Sequence, residues 1–281
     1  MTRRRLRYLA AGLAAAAVVC SALDARLVSR RYEIPLAPLE APVRLALVTD
    51  LHSCRYGEDQ RALLDALEAE APDALLLGGD IVDDVLPTEP AFLFLEEAAR
   101  RWPCVYVTGN HEFRSGQAEA FCARIAELGI HVLRGSQITL ELNGQPVDLL
   151  GLDDPACGGS YAGQLTALQD RPRTGHASIL LAHRPERYAD YAALGCDLIL
   201  NGHAHGGQWR IPILLNGLLA PNQGFFPAYV GGLYRRDGGE IQVVSRGLAR
   251  ESTRLPRFYN RPELVMVELR PGLEEFPAKK E

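Results

Sequence analysis

The sequence predicts an α/β fold in which two β-sheets pack face to face between two layers of helices, a four-layer α-β-β-α sandwich. In the first half, short apolar runs alternate with helical segments, which is typical of parallel strands joined by crossover helices. In the second half, a hairpin signal and several further apolar runs indicate a second sheet. Hydrophobic residues make up 47 % of the 281 residues, enough for one large core or two modest ones.

The first half contains three predicted strands, each followed by polar residues of the kind that bind metals. Strands are expected at 43–49, 74–77 and 104–107, with helices at about 58–69 and about 90–101 between them. Because open α/β sheets carry their sites at the carboxyl ends of the strands, the polar residues should lie together. They stand in Asp50-Leu51-His52, in Gly79-Asp80-Ile81-Val82-Asp83 and in Gly109-Asn110-His111-Glu112.

The second half is expected to supply the strands of the second sheet. Strands at 138–142 and 147–152 flank Asn143-Gly144, a strong hairpin signal. Asp153 and Asp154 close this pair, and a role in a turn is favoured for them over a place next to the site. Further strands of this sheet are expected at 178–182, 197–200, 241–245 and 264–269.

Two histidines follow the run at 197–200, within Asn201-Gly202-His203-Ala204-His205-Gly206-Gly207-Gln208. Side chains two residues apart on an extended backbone project to the same side, so His203 and His205 are expected to point into one site. Glycines on both sides permit a tight turn there. Imidazole is a common ligand of zinc, manganese and iron. His131 and His176 have no partners at such spacing and are expected to be surface or core histidines.

Five motifs of this chain resemble those of the calcineurin-like metallophosphoesterases in order and approximate spacing. They are Asp50-x-His52, Gly79-Asp80, Gly109-Asn110-His111-Glu112, His183 and Gly202-His203-x-His205. The stretch from Gly202 to Gln208 is also similar to a bacterial branch of membrane-associated phosphodiesterases, which often has Thr where this chain has Ala204. The resemblance spans residues 50–205 and leaves the first 42 residues outside it.

The resemblance implies a metallophosphoesterase sandwich with two divalent metal ions (manganese, iron or zinc) bridged by Asp80. One ion would be held by Asp50, His52, Asp80 and His205. The other would be held by Asp80, Asn110, His183 and His203. Two such ions, about 3.5–4 Å apart, stabilise both the attacking and the leaving oxygen of a phosphoryl centre. His111 resembles the family's non-ligand histidine that contacts phosphate or protonates the leaving group, and Asp83 resembles its orienting partner.

The function implied is that of a metal-dependent phosphoesterase, hydrolysing a phosphodiester or pyrophosphate bond of a lipid-linked or cell-envelope substrate. Two alternatives stay open: a nuclease or nucleotide phosphodiesterase of the same superfamily, and a non-catalytic metal-containing protein that binds phosphorylated partners. Residues 32–281 carry 23 basic and 34 acidic side chains, which makes nucleic acid an unlikely partner. The intact ligand set disfavours the non-catalytic alternative.

The N-terminus is expected to act as a membrane signal. Four arginines, at positions 3, 4, 5 and 7, accompany an alanine-rich apolar stretch from Leu6 to Leu23, close to the about 20 residues that span a membrane. The basic run is either a twin-arginine export signal or an ordinary basic leader. We therefore expect an anchor or export signal at 1–31, a proline-containing linker at 32–42 and the metallophosphoesterase domain at 43–281, with this domain on the extracytoplasmic side of the cell membrane.

The segment from Trp209 to Tyr234 is apolar but contains Pro212, Pro221 and Pro227, which exclude a continuous helix. Two interpretations of this segment remain. It either buries its side chains against the second sheet, or it forms an apolar wall beside the metals that faces a lipid-like substrate or the bilayer.

Overall fold

The structure is a computed structural model that describes residues 3–236, 239–250 and 256–272. Within these residues, with strands numbered in chain order, the first six-stranded sheet consists of β1 (Val28–Leu36), β2 (Val43–Val48), β3 (Ala74–Gly78), β4 (Cys104–Val107), β5 (His131–Val132) and β14 (Glu263–Pro271). The strand order is β1-β14-β2-β3-β4-β5, and β2 to β5 run parallel to one another.

The second six-stranded sheet consists of β6 (Ser136–Leu142), β7 (Gln145–Gly151), β8 (Ala177–Leu181), β9 (Leu198–Asn201), β12 (Gly232–Arg235) and β13 (Ile241–Val244). Its order is β12-β13-β9-β8-β7-β6, with four parallel central strands and an antiparallel strand at each edge. Two short strands, β10 (Leu219–Ala220) and β11 (Gly224–Phe225), form a separate antiparallel hairpin.

Seven α-helices lie in the described part of the chain: α1 (Arg3–Ala22), α2 (Arg61–Glu70), α3 (Glu89–Arg101), α4 (Asn110–Arg114), α5 (Ala118–Glu127), α6 (Ser160–Gln169) and α7 (Tyr188–Ala192). Helices α2, α3 and α5 pack on the outer face of the first sheet, and α6 and α7 pack on the outer face of the second. The helix expected to begin near residue 58 begins at Arg61, because Asp59 and Gln60 have positive φ angles of 50° and 58°.

The inner faces of the two sheets pack against each other and form the central core. In β2, Ala46 and Val48 face the helices, whereas Leu45 and Leu47 face the second sheet and its Ile179. A strand buried on both faces therefore contributes to two layers of the core, which is why it has a continuous apolar sequence. Two helix-covered faces and one interface between sheets make four layers, so the predicted α-β-β-α sandwich is confirmed.

Two strands differ from the prediction. The strand expected at 264–269, β14, belongs to the first sheet, where it pairs antiparallel with β2 and parallel with β1. The sequence does not predict β1, because Ser29, Arg30 and Arg31 are exposed and give this edge strand no apolar run. Residues 32–42, expected to be a linker, include the second half of β1. The division into 1–31, 32–42 and 43–281 stays a prediction, and 273–281 lie outside the described residues.

The predicted membrane anchor is wrong. Helix α1 spans Arg3–Ala22, yet none of the helices in the described residues is both long enough and apolar enough to cross a membrane. Four arginines fall inside α1, and alanine, its commonest residue, is only weakly apolar. The predicted location at the cell membrane, with the catalytic domain on the extracytoplasmic side, is corrected accordingly.

Candidate metal centre

Parallel strands from both sheets end at one edge of the sandwich, and the polar residues that follow them converge there. Strands β2, β3 and β4 lead into this edge from the first sheet, and β8 and β9 lead into it from the second. All the predicted site residues except the partly exposed His111 are buried, namely Asp50, His52, Asp80, Asp83, Asn110, His183, His203 and His205. The sequence therefore brings these side chains together as expected.

The first group of candidate ligands comprises Asp50, His52 and His205. One donor atom from each lies within 4.8 Å of the other two. His205 Nε2 is 3.9 Å from Asp50 Oδ1, and His52 Nε2 is 3.6 Å from Asp80 Oδ2, which lies beside this group. A carboxylate and two imidazoles at this spacing are suitable donors for a divalent transition metal.

The second group comprises Asp80, His183 and His203, again with donor atoms within 4.8 Å of one another. His183 Nε2 is 3.1 Å from Asp80 Oδ2 and 3.2 Å from His203 Nδ1. Asp80 Oδ2 thus lies 3.6 Å from a histidine of the first group and 3.1 Å from one of the second. This position, between the two groups, is the one that a bridging carboxylate requires.

Four polar atoms of the predicted ligand residues are buried without a hydrogen-bond partner in the described part of the chain. They are His52 Nε2, Asp80 Oδ2, Asn110 Oδ1 and His205 Nδ1. A buried polar atom without a partner costs about 1–3 kcal/mol, so such atoms are rare unless something else satisfies them. Bound cations would satisfy such atoms, so the residues of the two ligand groups fit a pair of cations.

The opposite ring nitrogens of three histidines are fixed by hydrogen-bond acceptors. His52 Nδ1 donates to Asp83 at 2.8 Å, His183 Nδ1 to the Gly78 carbonyl at 2.8 Å, and His203 Nε2 to Asn222 Oδ1 at 2.8 Å. An acceptor on one ring nitrogen places the proton there and leaves the other nitrogen to face the site. No local pattern in the sequence points to Asn222.

The backbone at the site is held in the left-handed region. The φ angles of Asp50, His52, Asp80, His203 and His205 lie between 46° and 66°. Such conformations cost non-glycine residues on the order of 1–3 kcal/mol each and are concentrated at functional sites. The strain lies in the turns directly after the strands, where it points the donor atoms inward.

The geometry of His203 and His205 differs from the expectation of an extended backbone. Strand β9 ends at Asn201, Ala204 has right-handed helical angles, and a short 3₁₀ turn begins at His205. The left-handed turns at both histidines rotate them apart. Consequently His203 lies in the group with Asp80, and His205 in the group with Asp50.

Asp80 and His183 form a buried ion pair. Burial raises the pKa of Asp80, but the charges of His183 and His52 outweigh this effect and hold it well below its usual value. Burial lowers the pKa of His183, but Asp80 and Asp50 outweigh this and raise it to about 10. Burial and the charge of His183 lower the pKa of His203 to about 3, so that imidazole is neutral. A cation bound here must therefore displace the His183 proton.

Glu112 is a structural residue of the site to which the sequence analysis assigns no role. Its fully buried carboxylate accepts hydrogen bonds from the backbone N–H groups of Asp80, Ile81, Val82 and Gly109, at 2.8–3.1 Å. These bonds join the turn that follows β3 to the start of α4. Its position three residues after Gly109 is that of a capping residue at a helix start, a signal visible in the sequence.

His111 is oriented by two carboxylates rather than one. Its Nδ1 is 2.6 Å from Asp84 Oδ1 and 3.2 Å from Asp83 Oδ1, while its Nε2 is 3.9 Å from Asp80 Oδ2. Burial lowers the pKa of His111, but Asp83 and Asp80 outweigh this and raise it. Asp83 Oδ1 is shared between two histidines, because the same oxygen also accepts from His52 Nδ1 at 2.8 Å.

A cavity of about 440 Å³ opens above the candidate ligands, and we call it the reaction cavity. Besides ligands and His111, its walls include Arg114, Arg184 and Asn222. Arg184 is held by Asp154 through two hydrogen bonds of 2.6 and 2.8 Å. Asp153 and Asp154 therefore do more than form the expected turn. Both carboxylates are buried, Asp153 pairs with Arg134, and Asp154 pairs with Arg184.

The chain shares its motifs with one family of phosphoesterases, because residues 43–207 match the calcineurin-like phosphoesterase family. The chain belongs to this family. YkuE of Bacillus subtilis, named as an uncharacterized metallophosphoesterase, is 29 % identical over 235 residues, covering 81 % of this chain and 79 % of the relative. Phosphodiesterase YaeI of Escherichia coli is 30 % identical over 240 residues, covering 82 % of this chain and 83 % of the relative.

A solved structure shares the fold. Phosphopantetheinyl hydrolase (PptH) from Mycobacterium tuberculosis aligns with a TM-score of 0.53 at 12 % identity, over 85 % of this chain and 100 % of that one. The family typically binds two divalent metal ions, and this chain has two groups of candidate ligands. The chain is accordingly a metal-dependent phosphoester hydrolase.

Replacing Glu112 by Ala should destabilise the fold around the site. Four backbone N–H groups would lose a buried acceptor, so we expect the free energy of unfolding to fall by about 3 kcal/mol or more. The matched control is Glu119→Ala, which removes an exposed partner of Arg134 and should cost less than about 1 kcal/mol. Urea denaturation of both variants measures this difference, and equal costs would contradict the role given to Glu112.

Replacing Asp80 by Ala should empty both metal positions, because its Oδ2 atom faces both ligand groups. We expect the metal content measured by mass spectrometry to fall from about two ions per chain to about none. The control is His131→Ala. His131 is exposed at the start of the edge strand β5, so this variant should leave the metal content unchanged. Retention of both ions in Asp80→Ala would rule out the bridging position.

Proposed function

We propose that this chain hydrolyses a phosphodiester or pyrophosphate bond at a centre of two divalent ions beneath the reaction cavity. The observation that carries the proposal is the position of Asp80 Oδ2, buried between two groups of donor atoms and lining the cavity. A single carboxylate in this position holds two cations close enough to act on one phosphorus atom. The four buried polar atoms without partners support the same conclusion.

The proposed ligand sets follow from the two groups. One ion would be held by Asp50, His52, Asp80 and His205. The second would be held by Asp80, Asn110, His183 and His203. Mixed imidazole and carboxylate donors suit manganese, iron or zinc. When bound, these ions supply a nucleophile from water and stabilise charge on the phosphoryl oxygens.

His111 is proposed as the residue that donates a proton to the leaving group. Asp84 and Asp83 accept from its Nδ1, which leaves Nε2 directed towards the site. Their negative charge raises the pKa of His111 and so favours the protonated imidazole that a general acid requires. Asp83 is a positioning residue, because the same carboxylate also fixes the ring of His52.

Two arginines of the cavity wall are proposed to bind the phosphate oxygens of the substrate. Arg184 uses Nε and Nη2 for Asp154, so its guanidinium is held rigidly at the cavity. Arg114 is more exposed and lies 3.8 Å from Asp84. Guanidinium groups bind phosphate through paired hydrogen bonds, and a fixed one needs little reorganisation on binding.

If His111 protonates the leaving group, the loss of kcat in His111→Ala should depend on how basic that leaving group is. We expect His111→Ala to keep its metal content and to lose about 100-fold or more in kcat for an alkyl leaving group, the scale of general acid catalysis. The loss should be much smaller for p-nitrophenolate, which needs no proton. His131→Ala serves as the control and should retain full activity.

Release of p-nitrophenolate from bis(p-nitrophenyl) phosphate measures the rate for the good leaving group, and release of alcohol from a dialkyl phosphate measures the rate for the poor one. Equal losses on both substrates would assign His111 to phosphate binding instead. If the metal-loaded wild type hydrolyses neither of these diesters nor a diester of pyrophosphate, the proposed reaction itself is wrong.

A lipid-linked substrate is the more specific part of the proposal, and an exposed apolar surface supports it. Ile213, Leu214, Phe225 and Phe226 are 106 %, 82 %, 70 % and 72 % exposed. Burial against the second sheet therefore does not describe these side chains. Exposed apolar side chains mark a binding surface when they form one contiguous patch. The hairpin that carries Phe225 also places Asn222 in the wall of the reaction cavity.

The double variant Phe225→Ser and Phe226→Ser tests this part of the proposal. We expect unchanged hydrolysis of small soluble diesters, because both rings are exposed. For an acyl-chain diester we expect KM to rise about tenfold or more, since burying a large apolar side chain contributes about 1.5–3 kcal/mol. Val19→Ser, another exposed apolar position, is the control. If both activities and the thermal midpoint fell together, the rings would belong to the core and the lipid-linked substrate would lose its support.

A further inference from the structure

A second cavity, of about 430 Å³, lies beside the loop that carries His205. We call it the Arg210 cavity; its walls include Arg210, Ile211, Ile213, Leu215, Arg246 and Tyr259. None of its lining residues lines the reaction cavity. Arg210 nevertheless reaches the metal loop, since its Nη1 donates to the Gly206 carbonyl at 3.2 Å. The Arg210 cavity is therefore close to the candidate metal centre but separate from it.

The charge around this cavity is positive. Arg246 and Arg30 both approach the same oxygen of Glu263, each at 3.3 Å. Glu263 is completely buried, and the Arg246 side chain is only 16 % exposed. Among the described residues, Arg246 and Arg30 thus share one carboxylate oxygen, and Arg210 adds a further positive charge to the wall of the cavity. Positive charge that is partly removed from water and incompletely paired is costly, and an anion would offset that cost.

Of the two arginines that line the cavity, Arg210 has the positive charge that is less compensated by carboxylates. Its nitrogens donate to two neutral oxygens, the Gly206 carbonyl and Asn216 Oδ1, and no described carboxylate lies within 4 Å of it. Burial and the charge of Arg246 lower the pKa of Arg210 to about 10. Arg246 shares its partner, the Glu263 oxygen, with Arg30, so the charge of Arg246 is only partly compensated. Both cavity arginines consequently present positive charge to a bound anion.

The remaining walls of the cavity are apolar and extend to the surface. Ile211, Leu215 and the ring of Tyr259 line it, and Ile213 at its rim is fully exposed. A small inorganic anion would leave these side chains in contact with water. A ligand with an anionic head and an alkyl chain would use both parts of the cavity, because hydrocarbon contributes about 0.8 kcal/mol for each buried CH₂.

We propose that the Arg210 cavity is a binding site for an anionic amphiphile, with a phosphate or carboxylate head on Arg210 and Arg246 and an alkyl chain along Ile211 and Ile213. The positive charge of the arginines favours an anionic head group, and the apolar walls favour an alkyl chain. This site goes beyond the proposed reaction, because its ligand binds without hydrolysis and shares no lining residue with the reaction cavity.

The test is a titration of the full metal-loaded chain with dodecyl phosphate below its critical micelle concentration. The chain has two tryptophans, and Trp102→Phe leaves Trp209, next to Arg210, as the fluorescent reporter. We expect saturable binding, with Kd raised about tenfold or more by Arg210→Gln and by Arg246→Gln. Arg184→Gln is the matched control: it removes a guanidinium of the reaction cavity and should leave this Kd unchanged.

Further arms separate the head group from the chain. Ile213→Ser alters a fully exposed side chain, so it should not affect folding, and it should weaken dodecyl phosphate but not inorganic phosphate. Dodecyltrimethylammonium should give no saturable signal. The proposal is overturned if Arg184→Gln weakens binding while Arg210→Gln and Arg246→Gln do not, or if the ammonium amphiphile binds equally well. Equal affinity for inorganic and dodecyl phosphate would overturn the amphiphile and leave a phosphate site. None of these results depends on hydrolysis, so they are independent of the proposed reaction.

Discussion

The buried Asp80 carboxylate is the feature on which the rest of the site depends. Its Oδ2 faces His52, which follows a strand of the first sheet, and His183, which follows a strand of the second. The surroundings fit closely: Glu112 accepts the Asp80 N–H, and a Cβ atom at Gly109 would overlap Asp80 Oδ1. The glycine of the Gly109-Asn110 motif is therefore required by close packing on a carboxylate, since its own φ of −108° suits any residue.

The site is assembled at a cost to the free energy of folding. Five of the proposed ligands have left-handed backbone angles, and four polar atoms of the ligand residues are buried without a hydrogen bond. The compensation comes from the sandwich itself, in which strands such as β2 and β3 are buried on both faces. Truncating one leucine in such a core typically costs about 2–5 kcal/mol, so a few core contacts outweigh each strained turn. Bound cations would offset the remainder by satisfying the unpaired polar atoms.

The sequence predicts those parts of the structure that depend on local pattern. Buried parallel strands have apolar runs, and each metal-binding motif follows such a run, so the four layers and the convergence of the site residues were predictable. Features that depend on distant partners were not. The exposed edge strand β1 has no apolar run, β14 joins the first sheet through pairing that no local signal encodes, and Asn222 reaches His203 only through tertiary structure. The prediction of a membrane anchor was wrong because α1 is long enough but, with its arginines and alanines, not apolar enough to cross a membrane.

The apolar segment after the metal motif connects the two cavities. Its first part, from Arg210 to Asn216, lines the Arg210 cavity, and its hairpin places Asn222 in the wall of the reaction cavity. Asn222 also accepts from His203 Nε2, which fixes the proton on that nitrogen and leaves Nδ1 facing the site. One segment therefore lines both cavities and also fixes the proton of a proposed metal ligand, although its proline-broken sequence forms only one short hairpin.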